Sequence, residues 1–363
     1  MRVSILGAGN VGCAMAADLS QRGHSVTLIK TSSLPSENFD YLLANDGLIK
    51  MWENGIDSMS RIEKVTHDLA DVVDSHIIIV TIQTNFHEHL IEQLVPLLKG
   101  PEIVLFIPGY LSTAFMLKHG MPEEVTCVEA ESSFIDCRVI EPGFIRVGFR
   151  NVRNPIATYP RARQQHTEAV LDELGFPLTS LDSVVEAALH NPNLIVHTVG
   201  GVMSIPRIEA TKGEYCMYHE VFTPSVWRIL ESLDSEKMNV LERLDLPRVP
   251  YVEACKFRNS LDDDRDAKEV FFWYAAMPTR AKGPTTVESR YITEDVPQGL
   301  VLLEALGQAT GTNTPICTAL IELASSALGR DLRHEGRTPS KLSEAAVSTI
   351  LKDQGFHGTW DLV

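Results

Sequence analysis

The sequence predicts an α/β protein in two parts: a doubly wound, parallel sheet over residues 1–180 and an all-α domain over residues 181–363. Three observations carry this. A glycine-rich turn at residues 7–12 follows a short apolar strand and opens a helix. Buried-strand runs alternate with helical segments through the first half, and long helical runs fill the second.

Residues 2–6, RVSIL, are the first β-prone run, and they break into Gly7-Ala-Gly9-Asn10-Val11-Gly12. The stretch CAMAADLSQRG then reads as a helix that stops at Gly23, and SVTLIK follows as a second strand. Strand, turn, helix and strand thus fit within about 30 residues, the context that makes this spacing a Rossmann-type dinucleotide-binding turn. Gly7 makes the tight turn, Gly9 lets the backbone approach a pyrophosphate, and Gly12 lets the helix pack on the strand. The amides at the helix start, around Asn10 and Val11, face the phosphates.

Further buried strands are expected at 76–82, 102–107 and 125–130, with closing strands at the sheet edge over 144–149 and 156–158. Thr81, Gln83 and Thr84 stand at a strand end, where they are either cofactor ligands or ordinary loop polarity. An NAD site usually has an acidic residue about 20 positions after the glycines, on the ribose hydroxyls. Here the second strand ends Lys30-Thr31-Ser32-Ser33. Lys30 and Thr31 suit the extra phosphate of NADP, so NADP is expected ahead of NAD; NAD remains open if Glu37 reaches the ribose from the loop.

The helical half is punctuated clearly. Pro297 suits a first turn and Gly311 an end; Thr314 can cap the next helix, with Pro315 at its first position and Gly329 beyond it. Residues 184–203 read as one helical run in which His190, Asn193, Leu194 and His197 share a face, with Pro192 interrupting the ladder nearby. A histidine there is either a packed, hydrogen-bonded core residue or a proton carrier. No carboxylate or cysteine stands at ligand spacing, so no metal is expected. The cluster Arg290-Tyr291-Ile292-Thr293-Glu294-Asp295 also reads two ways. Asp295 is a helix cap and Arg290 a surface charge, or Arg290 clamps a substrate carboxylate and Asp295 orients a histidine. Spacing does not decide between these.

Composition narrows the function classes. The 363 residues include 48 acidic and 32 basic side chains, a net charge of −16 with histidine neutral, and 44% are hydrophobic. Such a charge opposes general binding to nucleic acid or anionic membrane, and leaves room for an anionic small molecule held by a local cation. The six cysteines form no C-x-x-C pair, which predicts reduced thiols. The apolar run at the start is too short for a signal peptide, and no stretch of about 18 apolar residues occurs, so a cytoplasmic protein is expected. The acidic run Asp262-Asp263-Asp264-Arg265-Asp266 is expected to be solvated surface. No coiled-coil seam is present; a homodimer is possible.

Several separated motifs occur in order: LGAGNVG; Glu129-Ala130-Glu131-Ser132-Ser133 with Cys137-Arg138; His190-Asn191-Pro192-Asn193 with His197; Thr223-Pro224-Ser225. They continue through Gly283-Pro284, Ser289-Arg290-Tyr291, Glu294-Asp295-Val296, Gly299-Leu300-Val301, Leu306-Gly307 and Thr314-Pro315. Together they resemble the octopine/nopaline-type opine dehydrogenases, from the first strand to about residue 340. The resemblance implies reversible, NAD(P)H-dependent reductive condensation of an amino acid with a 2-oxo acid such as pyruvate, through an imine. It implies His197 of the N-x-x-x-H pattern, with Asn193, as the acid–base, Asp295 as its partner and Arg290 as the carboxylate-binding residue. Gly109, Ser132 and Ser133, at predicted carboxyl ends of strands, are then expected near the substrate or nicotinamide.

Two departures stand out: the missing ribose-binding acid, and Thr198-Val199-Gly200-Gly201 where relatives often have a proline. A ketopantoate-type or 3-hydroxyacid-type reductase shares the two-domain plan but uses a lysine on the corresponding helix, and residues 184–203 contain none. A non-catalytic dinucleotide sensor would be expected to have lost the histidine, aspartate or arginine, and all three are present.

Overall fold

The first unit is built around strands whose side chains are buried on both faces, which is why they are short, continuous apolar runs. The structure is a computed structural model that describes residues 1–278, 280 and 282–356. It divides into two units, Met1–Ser180 and Leu181–Val363. In the first, the strands in chain order are β1 Arg2–Leu6, β2 Ser25–Ile29, β3 Leu48–Glu53, β4 Ile56–Arg61, β5 Lys64–Thr66 and β6 Ile77–Val80. They continue with β7 Ile103–Phe106, β8 Thr126–Ala130, β9 Ile135–Glu141, β10 Phe144–Arg150, β11 Asn154–Tyr159 and β12 Leu178–Ser180.

The main sheet has the order β12-β11-β8-β7-β6-β1-β2-β5. All its pairings are parallel except that of β11 with β8. A second sheet, β4-β3-β10-β9, corrects the expected layout. Residues 144–149 belong to that sheet and not to the edge of the main one, while 156–158 lie in the main sheet between β8 and β12. The second sheet has no apolar signature in the sequence because its strands have a solvated side and carry scattered charges, as in IDSMSR. Its hairpin signal was present: Asn54 and Gly55, at φ 50° and 85°, join β3 to β4 with the left-handed residue pair that tight hairpins favour.

The glycine-turn helix, Asn10–Gln21, contacts β1 and β2 of the main sheet and β3, β4, β9 and β10 of the second. That double cover explains why Gly12 through Leu19 are all buried and why small residues dominate them. Asp18, buried among them, pairs with Arg150 at 3.0 Å and Arg22 at 3.1 Å.

The second unit is helical. The run 184–203 is two helices, Val184–Leu189 and Pro192–Met203, because Pro192 starts a new helix instead of loosening an existing one. Asn191 caps it, its Oδ1 accepting from the Asn193 N–H at 3.0 Å. His190 ends the first helix, so it does not share a helical face with His197. Gly311 and Gly329 end their helices at φ 65° and 61°. Thr314 occupies the N-cap position but its hydroxyl caps nothing; the Glu236 carboxylate accepts from the Ile316 and Cys317 N–H groups instead, at 2.7 and 2.9 Å. A charged acceptor at a helix N-terminus also answers the dipole. Val296–Leu300, directly after Asp295, is a π-helical turn. Among the described residues no helix is long and apolar enough to cross a membrane.

Candidate active site

The glycine turn has the shape a pyrophosphate needs. Gly7 sits at φ 118°, and a Cβ on Gly12 would lie 1.7 Å from the Gly7 carbonyl oxygen. Around Gly9 there is open space, and no side chain caps the helix that starts there. Its first-turn amides are therefore available to an anion. Asn10 and Val11 open that helix; Asn10 Oδ1 accepts from the Val139 N–H at 2.8 Å and ties the turn to β9. Thr81 also serves the turn, donating to the carbonyls of Leu6 and Gly7 at 3.2 and 3.1 Å, so its hydroxyl is engaged inward. Thr84 is buried in a short turn after β6.

Lys30 differs from expectation. It is only 9% exposed, and its ammonium donates to the backbone carbonyls of Ser32 and Leu34, where it acts as a strut for the loop after β2. Residues 31–35 of that loop, Thr31, Ser32 and Ser33 among them, are exposed. No carboxylate ends β2, and Glu37 lies exposed in the first turn of the helix Glu37–Ala44.

At the carboxyl ends of β7 and β8, Gly109 is required by Glu129: a Cβ would stand 2.0 Å from Glu129 Oε2. That fully buried carboxylate accepts from the N–H groups of Leu111 and Thr113, both at 2.8 Å, and from Thr113 Oγ1 at 2.7 Å. Ser133 Oγ donates to the Ile135 carbonyl at 2.9 Å, and Ser132 Oγ accepts from Asn151 at 3.4 Å. These hydroxyls fix the turn from β8 into β9.

The helical unit carries the acid–base pair. His197, 8% exposed, places Nδ1 2.8 Å from Oδ2 of Asp295, itself 1% exposed. With Nδ1–H donating to the carboxylate, Nε2 presents a lone pair, and the Tyr218 hydroxyl lies 3.4 Å from it. Tyr291 stacks on the imidazole at 3.8 Å and 15°. The two glycines after His197 make this possible. A Cβ on Gly201 would lie 3.1 Å from Ile292 Cγ1, and one on Gly200 would lie 2.6 Å from Met217 Sδ. Their absence lets the helices Arg290–Thr293 and Met217–Glu220 close on Pro192–Met203, bringing Tyr291 and Tyr218 to the ring.

Burial is the main force lowering the His197 pKa; Asp295 opposes it, while Arg290 and Arg280 lower it further. The resting imidazole is neutral at pH 7. Arg290 is half-exposed (side chain 51%), with Nε 3.3 Å from the buried Glu294 carboxylate one turn on. Asn193 lies one turn before His197 on the same helix, partly buried. Arg280 lies over the Tyr218 ring at 4.0 Å. Tyr291 stands in the polar cluster 290–295 of the sequence, where nothing assigned it a role, and Tyr218 and Arg280 lie in segments with no periodic signal. His190 is buried, and neither ring nitrogen has a hydrogen-bond partner among the described residues. Among those residues no group of three histidines, cysteines or acids could hold a metal.

A phosphate-cradling βαβ unit and a helical unit with a buried imidazole–carboxylate pair define an NAD(P)-dependent oxidoreductase. Residues 180–328 match the family described as NAD/NADP octopine/nopaline dehydrogenase, alpha-helical domain, and residues 2–126 match NAD-dependent glycerol-3-phosphate dehydrogenase N-terminus. Over these residues the chain resembles the octopine/nopaline-type opine dehydrogenases. It is 27% identical to an opine dehydrogenase of Arthrobacter sp. (strain 1C) over 356 residues, 95% of this chain and 96% of the relative. In fold it resembles octopine dehydrogenase solved with NADH and L-arginine (TM-score 0.75, 15% identity, 99% and 100% of the two chains). It also resembles yersinopine dehydrogenase bound to NADP+ (TM-score 0.71, 16% identity, 98% of each chain).

Proposed function

We propose that this chain is an opine dehydrogenase that condenses the amino group of an amino acid with a 2-oxo acid and reduces the resulting imine. The observation that carries this reading is the buried His197–Asp295 pair, with Arg290 one helix turn before the π-helical segment that Asp295 leads into. The two-sided cover of Asn10–Gln21, its uncapped first turn and the open space at Gly9 fit a dinucleotide. When bound, the reduced nicotinamide supplies hydride to the imine carbon.

The neutral Nε2 of His197 takes a proton from the substrate ammonium, which frees the amine to attack the 2-oxo carbon. The same nitrogen returns that proton to the carbinolamine hydroxyl, which leaves as water. Asp295 holds the tautomer that makes this exchange possible and stabilises the imidazolium between the two steps. Arg290 grips the 2-oxo acid carboxylate through paired charge-assisted hydrogen bonds, and so sets the face presented to hydride. Asn193, Gly109, Ser132 and Ser133 are read as substrate-side residues, and Gly7, Gly9, Asn10, Val11 and Gly12 as the phosphate cradle. Thr81 and Lys30 act by shaping the turn and the ribose-side loop. The lack of a carboxylate at the end of β2 supports NADP over NAD, with Thr31 exposed beside the loop. A cytoplasmic setting agrees with six free cysteines.

The test is spectrophotometric: oxidation of NADPH and of NADH with pairs of amino acids and 2-oxo acids. Turnover that needs both substrates supports the proposal. Turnover with an oxo acid alone replaces it with a simple 2-oxo acid reductase.

A further inference from the structure

An opine carries two carboxylates, on the two carbons joined to its nitrogen, and the proposed mechanism has so far used one cation. A second cation bears on His197. The Arg280 guanidinium carbon lies 4.0 Å from the centre of the Tyr218 ring, and the Tyr218 hydroxyl lies 3.4 Å from His197 Nε2. A single aromatic ring therefore separates this guanidinium from the nitrogen that carries the proton. Tyr274 braces it from another helix, with its ring centre at 4.5 Å and its hydroxyl accepting from Nη1 at 2.8 Å. Packing the guanidinium face on the Tyr218 ring fixes its plane, and the Nη1 bond to Tyr274 fixes its rotation within that plane; the edge of a guanidinium so oriented is what recognises a carboxylate.

The chain is built to place Arg280 there. The Gly283 N–H, in a residue at φ 94°, donates to the Tyr215 carbonyl at 2.9 Å, and Gly283 forms a β-bridge with Cys216. A Cβ on Gly213 would lie 2.6 Å from Thr285 Cγ2. Gly283 and Thr285 are thus pinned to the turn leading into the helix Met217–Glu220, which carries Tyr218.

We propose that Arg280 binds the carboxylate of the amino substrate, so that Arg290 and Arg280 each hold one of the two carboxylates that flank the new C–N bond. This assignment rests on the opine dehydrogenase reading above. It makes the enzyme selective for α-amino acids over amines. It also couples substrate arrival to proton chemistry. The charged and titratable groups acting on the imidazole are Asp295, Arg290 and Arg280, with Tyr218 and Tyr291 against the ring. Both arginines disfavour the imidazolium, and a carboxylate on each cancels that effect as the proton is needed.

The test uses the full-length enzyme, Arg280→Leu, Arg280→Gln and Arg280→Lys. Each is assayed with the best amino acid of the two-substrate screen and with the amine lacking its carboxylate. Arg280→Leu and Arg280→Gln should raise KM for the amino acid about tenfold or more and leave KM for the 2-oxo acid within about twofold. The preference for the amino acid over the amine should disappear in both and return in part in Arg280→Lys. An equal rise in both KM values, or an unchanged preference for the carboxylate, overturns the assignment while the opine reading stands. If the wild type oxidises NAD(P)H without the amino acid, the opine reading itself falls, and the assignment with it.

Discussion

Asp295 Oδ2 and His197 Nδ1 stand 2.8 Å apart inside the helical unit, both nearly closed to solvent. A buried carboxylate next to an imidazole orients the ring and supports its charged form, while burial opposes that charge; burial has the larger effect here. The imidazole is thus a neutral base at rest. His197→Ala should lower kcat by about 100- to 10,000-fold, the usual worth of a general acid–base, with the Kd for NAD(P)H nearly unchanged. A near-normal rate would remove His197 from the mechanism.

The pH profile follows from the neighbours of His197. Its pKa lies below 6.5, so the acidic limb of kcat/KM should fall below that pH, where the free imidazole becomes protonated and stops accepting the substrate proton. Arg290→Gln removes a positive neighbour and should move the limb upward. Asp295→Asn removes the groups that raise the pKa and should move it downward. Limbs that move in the same direction in both variants would contradict this electrostatic picture.

His190 makes a prediction about stability. Burial holds its pKa well below 6.5, and Lys237 adds to this, so the folded state disfavours the charged ring. The stability linked to the neutral ring is fully present above the unfolded pKa and is lost as pH falls through 6.5 toward the folded value. Glu186, raised to about 7 by burial, acts in the opposite sense: its burial is least unfavourable below pH 4.5 and most unfavourable above 7. His190→Asn should therefore flatten the fall in Tm between pH 7 and 5, or reverse it, when followed by thermal melts. A steeper fall in the variant would show that the histidine does not resist protonation.

Gly201→Val tests how the site is assembled. Its Cβ would meet Ile292 Cγ1 at 3.1 Å, and the branched methyls would press further on the helix that carries Tyr291. Overpacking of this kind costs about 1–3 kcal/mol, read as a Tm lower by a few degrees. Turnover should fall more than cofactor affinity, since the Tyr291 stack is displaced and the glycine turn is untouched.

Lys30 now leads to a different expectation from the one its sequence position suggested. Because its ammonium ties the carbonyls of Ser32 and Leu34, Lys30→Ala should loosen the loop and raise KM for NADPH and NADH by similar factors. A selective loss of NADPH would show that the ammonium turns outward to the phosphate in the bound state.

What was legible in the sequence follows from how the elements are buried. Ile77–Val80 and Ile103–Phe106 are covered on both faces and read as unbroken apolar runs. β4 keeps a solvated face at Asp57, Met59 and Arg61, with Met59 an apolar residue on it and Ile56 exposed at the strand's start, so neither periodicity nor apolarity announced the second sheet. Pro192 reads from sequence as an interruption of one helix, whereas in the fold it begins a second helix and separates His190 from His197. Spacing left the roles of His197, Asp295 and Arg290 undecided, and the family resemblance assigned them. Tyr218 and Arg280 come from segments distant in sequence from His197 and meet it only through the fold.

The most direct test of the central claim is the stoichiometry of NAD(P)H oxidation by the wild-type enzyme with both substrates present. One secondary amine dicarboxylate should form per nicotinamide oxidised, with no oxidation when either the amino acid or the 2-oxo acid is omitted. A 2-hydroxy acid formed in the absence of an amino acid would contradict it.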